Sequence, residues 1–137
     1  MSVSHHRDLE VWRLAHQVRE LVFGLVSKPS VRDDYDFCRQ SVRAARSACR
    51  NLCEGFYRFS HPEFANFVNI ARGSLGELLD SVAEARLAHY ASSQECDALA
   101  DRIEHAIAAA NSLHRFLSEN PTPTRPAAQT RRRRPPR

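Results

Sequence analysis

From Leu9 to Leu117 the apolar residues of this chain return every three or four positions, and the rhythm breaks at only three places. That spacing puts them on one face of a helix, and no stretch shows the period-two alternation of a strand. In the first segment Leu9, Trp12, Ala15, Leu21, Val22 and Leu25 form the stripe, widened by Val11, Val18 and Val26, with Asp8 as the expected N-cap. Lys28–Pro29 closes it, because proline disfavours helix at the residue before it. A polar loop from Ser30 to Asp34 follows. The second segment runs from about Tyr35 to Phe56 and gathers Phe37, Val42, Ala45, Ala48, Leu52, Phe56 and three cysteines on one side. Gly55 stands where helices commonly stop.

Ser60-His61-Pro62-Glu63 reads as a capping box with a first-turn proline, opening a third helix. This helix carries Phe64, Phe67, Val68, Ala71, Leu75, Leu78, Val82 and Ala85 to about Tyr90. Gly73, Ser74 and Gly76 inside it cost helix propensity, which predicts close approach of a helix or a subunit. A second box at Ser92–Glu95 opens the fourth helix, with Leu99, Ile103, Ile107, Ala110, Leu113 and Leu117, closed by Asn120–Pro121. Four helices joined by short loops must run antiparallel to their neighbours. The predicted fold is an all-α, up-down-up-down four-helix bundle over residues 1–120. Residues 121–137 have no apolar side chains for a core and are expected to form a disordered Arg/Pro-rich tail.

Charge divides along the same boundary. Of 20 basic residues in the 137, six arginines lie in 121–137, where there is no acid, leaving 14 basic against 16 acidic groups in the bundle. The positive net charge therefore belongs to the tail. No apolar run approaches the ~18 residues that a membrane helix needs. The start, MSVSHHRDLE, lacks a secretory pattern, so the expected location is cytoplasmic. Cys38, Cys49, Cys53 and Cys96 are read as reduced, packed thiols. Neither they nor the seven histidines have ligand spacing, so no metal and no cofactor is expected. No nucleophile–base arrangement or phosphate-cradling loop can be assembled, so catalysis is not expected.

The sharpest functional signal is a row of arginines. At 100° per residue, Arg39, Arg43, Arg46 and Arg50 fall within about 60° of one another, opposite the apolar face. No acid interrupts the segment between Asp36 and Glu54. Regularly spaced guanidiniums can follow a phosphate backbone and stack on bases. The alternative is a solvated or intersubunit face, paired with acids such as Glu77, Asp80 or Glu84 of another helix. Arg131, Arg132, Arg133 and Arg134 are a second basic element, a nucleic-acid arm or a compositional bias. Gln40, Ser47, Asn51 and Glu54 flank the apolar face and are expected to form a polar network fixing helix register or subunit packing. Phe56, Tyr57 and Phe59 add more aromatic surface than one thin core needs, predicting an intersubunit contact, and Trp12 is a core or interface anchor.

Three stretches resemble a known family. They are Asp8-Leu9-Glu10-Val11-Trp12 with Ala15-His16, then Gln40, Arg43-Ala44-Ala45, Ser47, Asn51 and Glu54-Gly55. The third comprises Phe64, Phe67, Ile70-Ala71-Arg72-Gly73-Ser74-Leu75 and Glu77-Leu78. In order and spacing they resemble the four-helix-bundle proteins encoded in 23S ribosomal RNA intervening sequences, a family that takes in the accessory variability proteins of diversity-generating retroelements. The resemblance implies a homopentamer around a central channel, without catalytic activity. In the retroelement branch it implies binding to a reverse transcriptase and its template RNA. RNA or DNA and a second copy of the chain are thus the implied partners, with no membrane. Where the family usually carries Val, Ile, Pro and Ala, this chain has Arg46, Ala48, Cys49 and Arg50, so its second helix is the more basic. A protein-interaction scaffold with no direct nucleic-acid role is the competing expectation.

Overall fold

The computed structural model describes residues 3–121; the expected tail, with Arg131–Arg134, lies outside them. A short 3-10 turn at His6–Asp8 leads into helices α1 (Glu10–Val26), α2 (Tyr35–Phe56), α3 (His61–Leu87) and α4 (Ser93–Glu119). Each helix packs on its sequence neighbour and α4 returns to α1, which closes a four-cornered, antiparallel bundle. Among the described residues there is no strand.

The core runs along the axis through Val18 and Val22 of α1, Leu52 of α2, Val68, Leu75 and Leu78 of α3 and Ile103 of α4, all buried. Val31, in the loop before α2, plugs one end of it. The buried face of α1 is Val11, Ala15, Val18, Val22 and Leu25. It is therefore rotated from the expected stripe: Leu21 is 46% exposed, while Val11 and Val18, expected only to widen the stripe, carry the packing. Apolar residues surround α1 on enough sides that spacing alone does not select its inner face.

Local chemistry sets the helix ends. Asp8 does not cap α1 as expected; it ends the 3-10 turn, and Leu9 occupies the N-cap position without a side-chain bond. At α2 the Phe37 N–H donates to Asp34 Oδ1 (3.2 Å), and the Tyr90 hydroxyl donates to the other carboxylate oxygen. At α3 the Glu63 N–H donates to Ser60 Oγ (3.3 Å). The box at α4 closes both ways, Glu95 N–H to Ser92 Oγ at 3.0 Å and Ser92 N–H to Glu95 Oε1 at 3.2 Å. α3 ends in a left-handed residue, His89 at φ 57°. The Tyr90 N–H reaches back to the Ala85 carbonyl (2.9 Å) and the His89 N–H to that of Arg86 (3.3 Å), the two bonds of a Schellman ending.

The glycines exchange their expected roles. Gly55 does not stop α2; it lies within the helix, where an added Cβ would stand 2.7 Å from Phe67 Cβ and 2.9 Å from Phe64 Cδ1. Its missing side chain lets α3 cross α2 closely at the turn. Gly73 and Gly76, expected to allow such an approach, have nothing within 4 Å of an added Cβ among the described residues.

Candidate functional site

Arg39, Arg43, Arg46 and Arg50 are all exposed on the outer face of α2. Their outstretched side chains bound an open furrow of about 1080 Å³, whose walls come from α2 alone. It is an open surface of one helix rather than an enclosed cavity between helices. Two of the guanidiniums rest on aromatic rings: Arg39 over Tyr35 at 5.8 Å and Arg46 over Phe23 of α1 at 5.5 Å. Such contacts stiffen long side chains and leave the remaining face of the guanidinium for a ligand.

Among the described residues none of the four arginines forms an ion pair, with Asp80 and Glu84 or with any other acid. Glu77 shares with Arg43 the wall of a cleft of about 400 Å³ at the α2–α3 seam, beside Ile70 and Gly73. The carboxylate of Glu54, at the far end of the row, is held by Arg58 at 2.8 Å. Among the described residues the row has no ion-pair partner.

The four flanking polar residues do not meet as one network. Asn51 Nδ2 donates to the Ser47 carbonyl (2.8 Å) and to Ser47 Oγ (3.1 Å), and Ser74 of α3 donates its hydroxyl to Ser47 Oγ (2.9 Å). This chain of bonds ties α2 to α3 beneath the arginines. Ser41 and Ser81 form a second such tie at 3.2 Å. Glu54 instead faces Arg58, and Gln40 is exposed along the furrow.

Phe56, expected at a subunit interface, is buried inside the bundle, edge-on to Phe64 with ring centroids 6.2 Å apart. It follows Gly55 into the close α2–α3 crossing and offers little surface. Tyr57 and Phe59 remain partly exposed at that turn. Trp12 is half-buried, stacked on His16 at 5.1 Å with Arg19 over its ring at 5.9 Å.

The thiols are packed rather than activated. Burial pushes Cys49 up to about 11 and also raises Cys38 and Cys53, so these three are protonated at neutral pH. Among the described residues no group of three or more His, Cys, Asp or Glu could hold a metal ion. None of the described helices is long and apolar enough to cross a membrane.

The sequence profile of the 23S rRNA-intervening sequence proteins matches residues 7–112 of the chain, which takes in all of α1, α2 and α3 and most of α4. The chain belongs to that family. A comparison with curated proteins gives no match. Within the 23S rRNA-intervening sequence protein match lie the whole arginine row and the Asn51–Ser47–Ser74 tie, whereas Arg131–Arg134 fall outside it. Tyr35, Phe23 and Ser74 are the site residues that sequence reasoning missed. Tyr35 carried a usable signal, since at four residues before Arg39 it lies on the same side of the helix. Phe23 did not: it belongs to another helix, and only the fold brings it beneath Arg46.

Proposed function

We propose that this family member is a non-enzymatic, oligomeric bundle protein that binds nucleic acid through the arginine row of α2. One observation carries the reading. Four guanidiniums stand on one exposed face of a rigid helix, and no carboxylate within the described residues neutralises them. A row of guanidiniums with no ion-pair partner among the described residues suits phosphates, whose neutralisation releases counterions. The finer form of the proposal is a homopentameric accessory subunit of a reverse transcriptase in a diversity-generating retroelement. It is supported by the resemblance of the helix motifs to a family that takes in that branch.

A protein-interaction scaffold is the second reading, favoured by exposed apolar side chains, Ile70 at 52% and Leu87 at 84%. The two are separated by replacing Arg39, Arg43, Arg46 and Arg50 together with Gln, which keeps helix propensity while removing charge. We expect this variant to assemble as the parent does, by light scattering, and to lose salt-sensitive binding of RNA in a gel shift. Loss of assembly with the charge would favour the scaffold reading. Unchanged binding would remove the row as the site. Deleting residues 121–137 should flatten the salt dependence, by about 0.7 in logarithmic slope for each single-strand phosphate that the tail no longer neutralises.

A further inference from the structure

Tyr35 is the first residue of α2 and is 71% exposed, an unusual placement for a large ring. At 100° per residue it stands about 40° from Arg39, on the side of the arginine row and one turn before it. The Arg39 guanidinium lies over its ring at 5.8 Å, and Tyr35 itself helps to wall the furrow that holds the four arginines. Ring and row form one continuous surface. Its helical end is held firmly, with Asp34 accepting from the Phe37 N–H and from the Tyr90 hydroxyl, so the platform does not depend on a loose loop.

The electrostatics change at this point. Asp33 and Asp36, both exposed, flank Tyr35, whereas no acid lies between Arg39 and Arg50. A phosphate is therefore attracted along Arg39–Arg50 and repelled beside Tyr35. What the Tyr35 end can accept is the neutral, aromatic part of a nucleotide. Its ring offers a π-face, Arg39 a second planar group, and the two carboxylates can accept from exocyclic amino groups of a base.

We propose that Tyr35 and Arg39 form a base-stacking platform, and that the ligand of the row is single-stranded nucleic acid with an unpaired base on Tyr35. This rests on the arginine row being a nucleic-acid site and adds what kind of strand it takes. Inside a duplex the base faces are already stacked on one another, so only its two end pairs offer a face to the platform.

The test uses the full chain, with a short fluorescein-labelled RNA offered single-stranded or annealed to its complement, and reads anisotropy. The parent should prefer the single strand. Tyr35→Ala should weaken single-strand binding about five- to hundredfold, the range expected for losing one stacked base, and shrink the preference over duplex. Tyr35→Phe keeps the ring and should bind close to the parent. The exposed position means both variants should melt as the parent does, which circular dichroism checks. The platform is overturned if Tyr35→Ala binds the single strand unchanged while the arginine-to-Gln variant loses it; the row would then stand alone. It is equally overturned if Tyr35→Phe is as weak as Tyr35→Ala, since the hydroxyl and not the ring would then be responsible. Failure of the parent to bind either probe would remove the row and the platform together.

Discussion

Glu95 holds its charge into far stronger acid than an ordinary glutamate. Lys28 donates to its carboxylate at 2.7 Å, Ser92 adds backbone and hydroxyl contacts, and together they draw its pKa down to about 2 from 4.5. Because the folded value is the lower one, the contribution to stability is fully present above about pH 4.5 and is lost as pH falls towards 2. The melting temperature should therefore fall over this window, and Glu95→Gln should melt lower at neutral pH and show a flatter acid limb by circular dichroism. The position also shows what single residues reveal in advance. The Ser92–Glu95 box is legible from three-residue spacing alone, as is the arginine row from helical arithmetic. The Lys28 partner, 67 positions away, and the Tyr90–Asp34 bond depend on which helix ends share one pole of the bundle, and no local pattern encodes that.

Helices are legible as units because each has a long apolar period and a chemical boundary: Lys28–Pro29, Asp34, Ser60 with Pro62, and Ser92. Their facing is less legible. α1 carries apolar side chains on several sides, so its spacing points to a face off-centre from the real one, with Leu21 outward and Val18 inward. A glycine near a helix end reads as a terminator, yet Gly55 serves the crossing of α2 and α3. Gly55→Ala would drive its Cβ against Phe67 Cβ, an atom fixed to the α3 backbone, so the helices must separate. Overpacking of this kind costs roughly 1–3 kcal/mol. We expect a clear drop in the urea midpoint with the unfolding slope unchanged, whereas the same substitution at Gly24, where an added Cβ meets nothing, should raise the midpoint.

At the scale of the whole molecule, the bundle leaves parts of its surface unused by its own packing. An added Cβ at Gly73 or Gly76 of α3 would meet nothing among the described residues, and exposed Ile70 lies beside Gly73 along the cleft shared with Arg43. If that face meets another copy, replacing both glycines by Ala should stabilise the separated chain by about 1 kcal/mol of helix propensity each and so raise its melting temperature. The same change should lower the assembled mass in light scattering, which is the outcome we expect; a stabilised protein of unaltered mass would show these glycines to be surface only. The order in which the bundle is made follows from its connections. Only Tyr57 to Ser60 join α2 to α3, while α1 and α4 meet across nearly the entire chain. Closing a short loop is entropically cheap and closing a long one must await other contacts. The α2–α3 hairpin should thus be the kinetic nucleus, so Gly55→Ala slows folding, whereas Leu99→Ala at the α1–α4 seam chiefly hastens unfolding. On a translating ribosome α1 emerges first yet completes its packing last, when α4 arrives, by which time the arginine-bearing α2–α3 hairpin has both its helices.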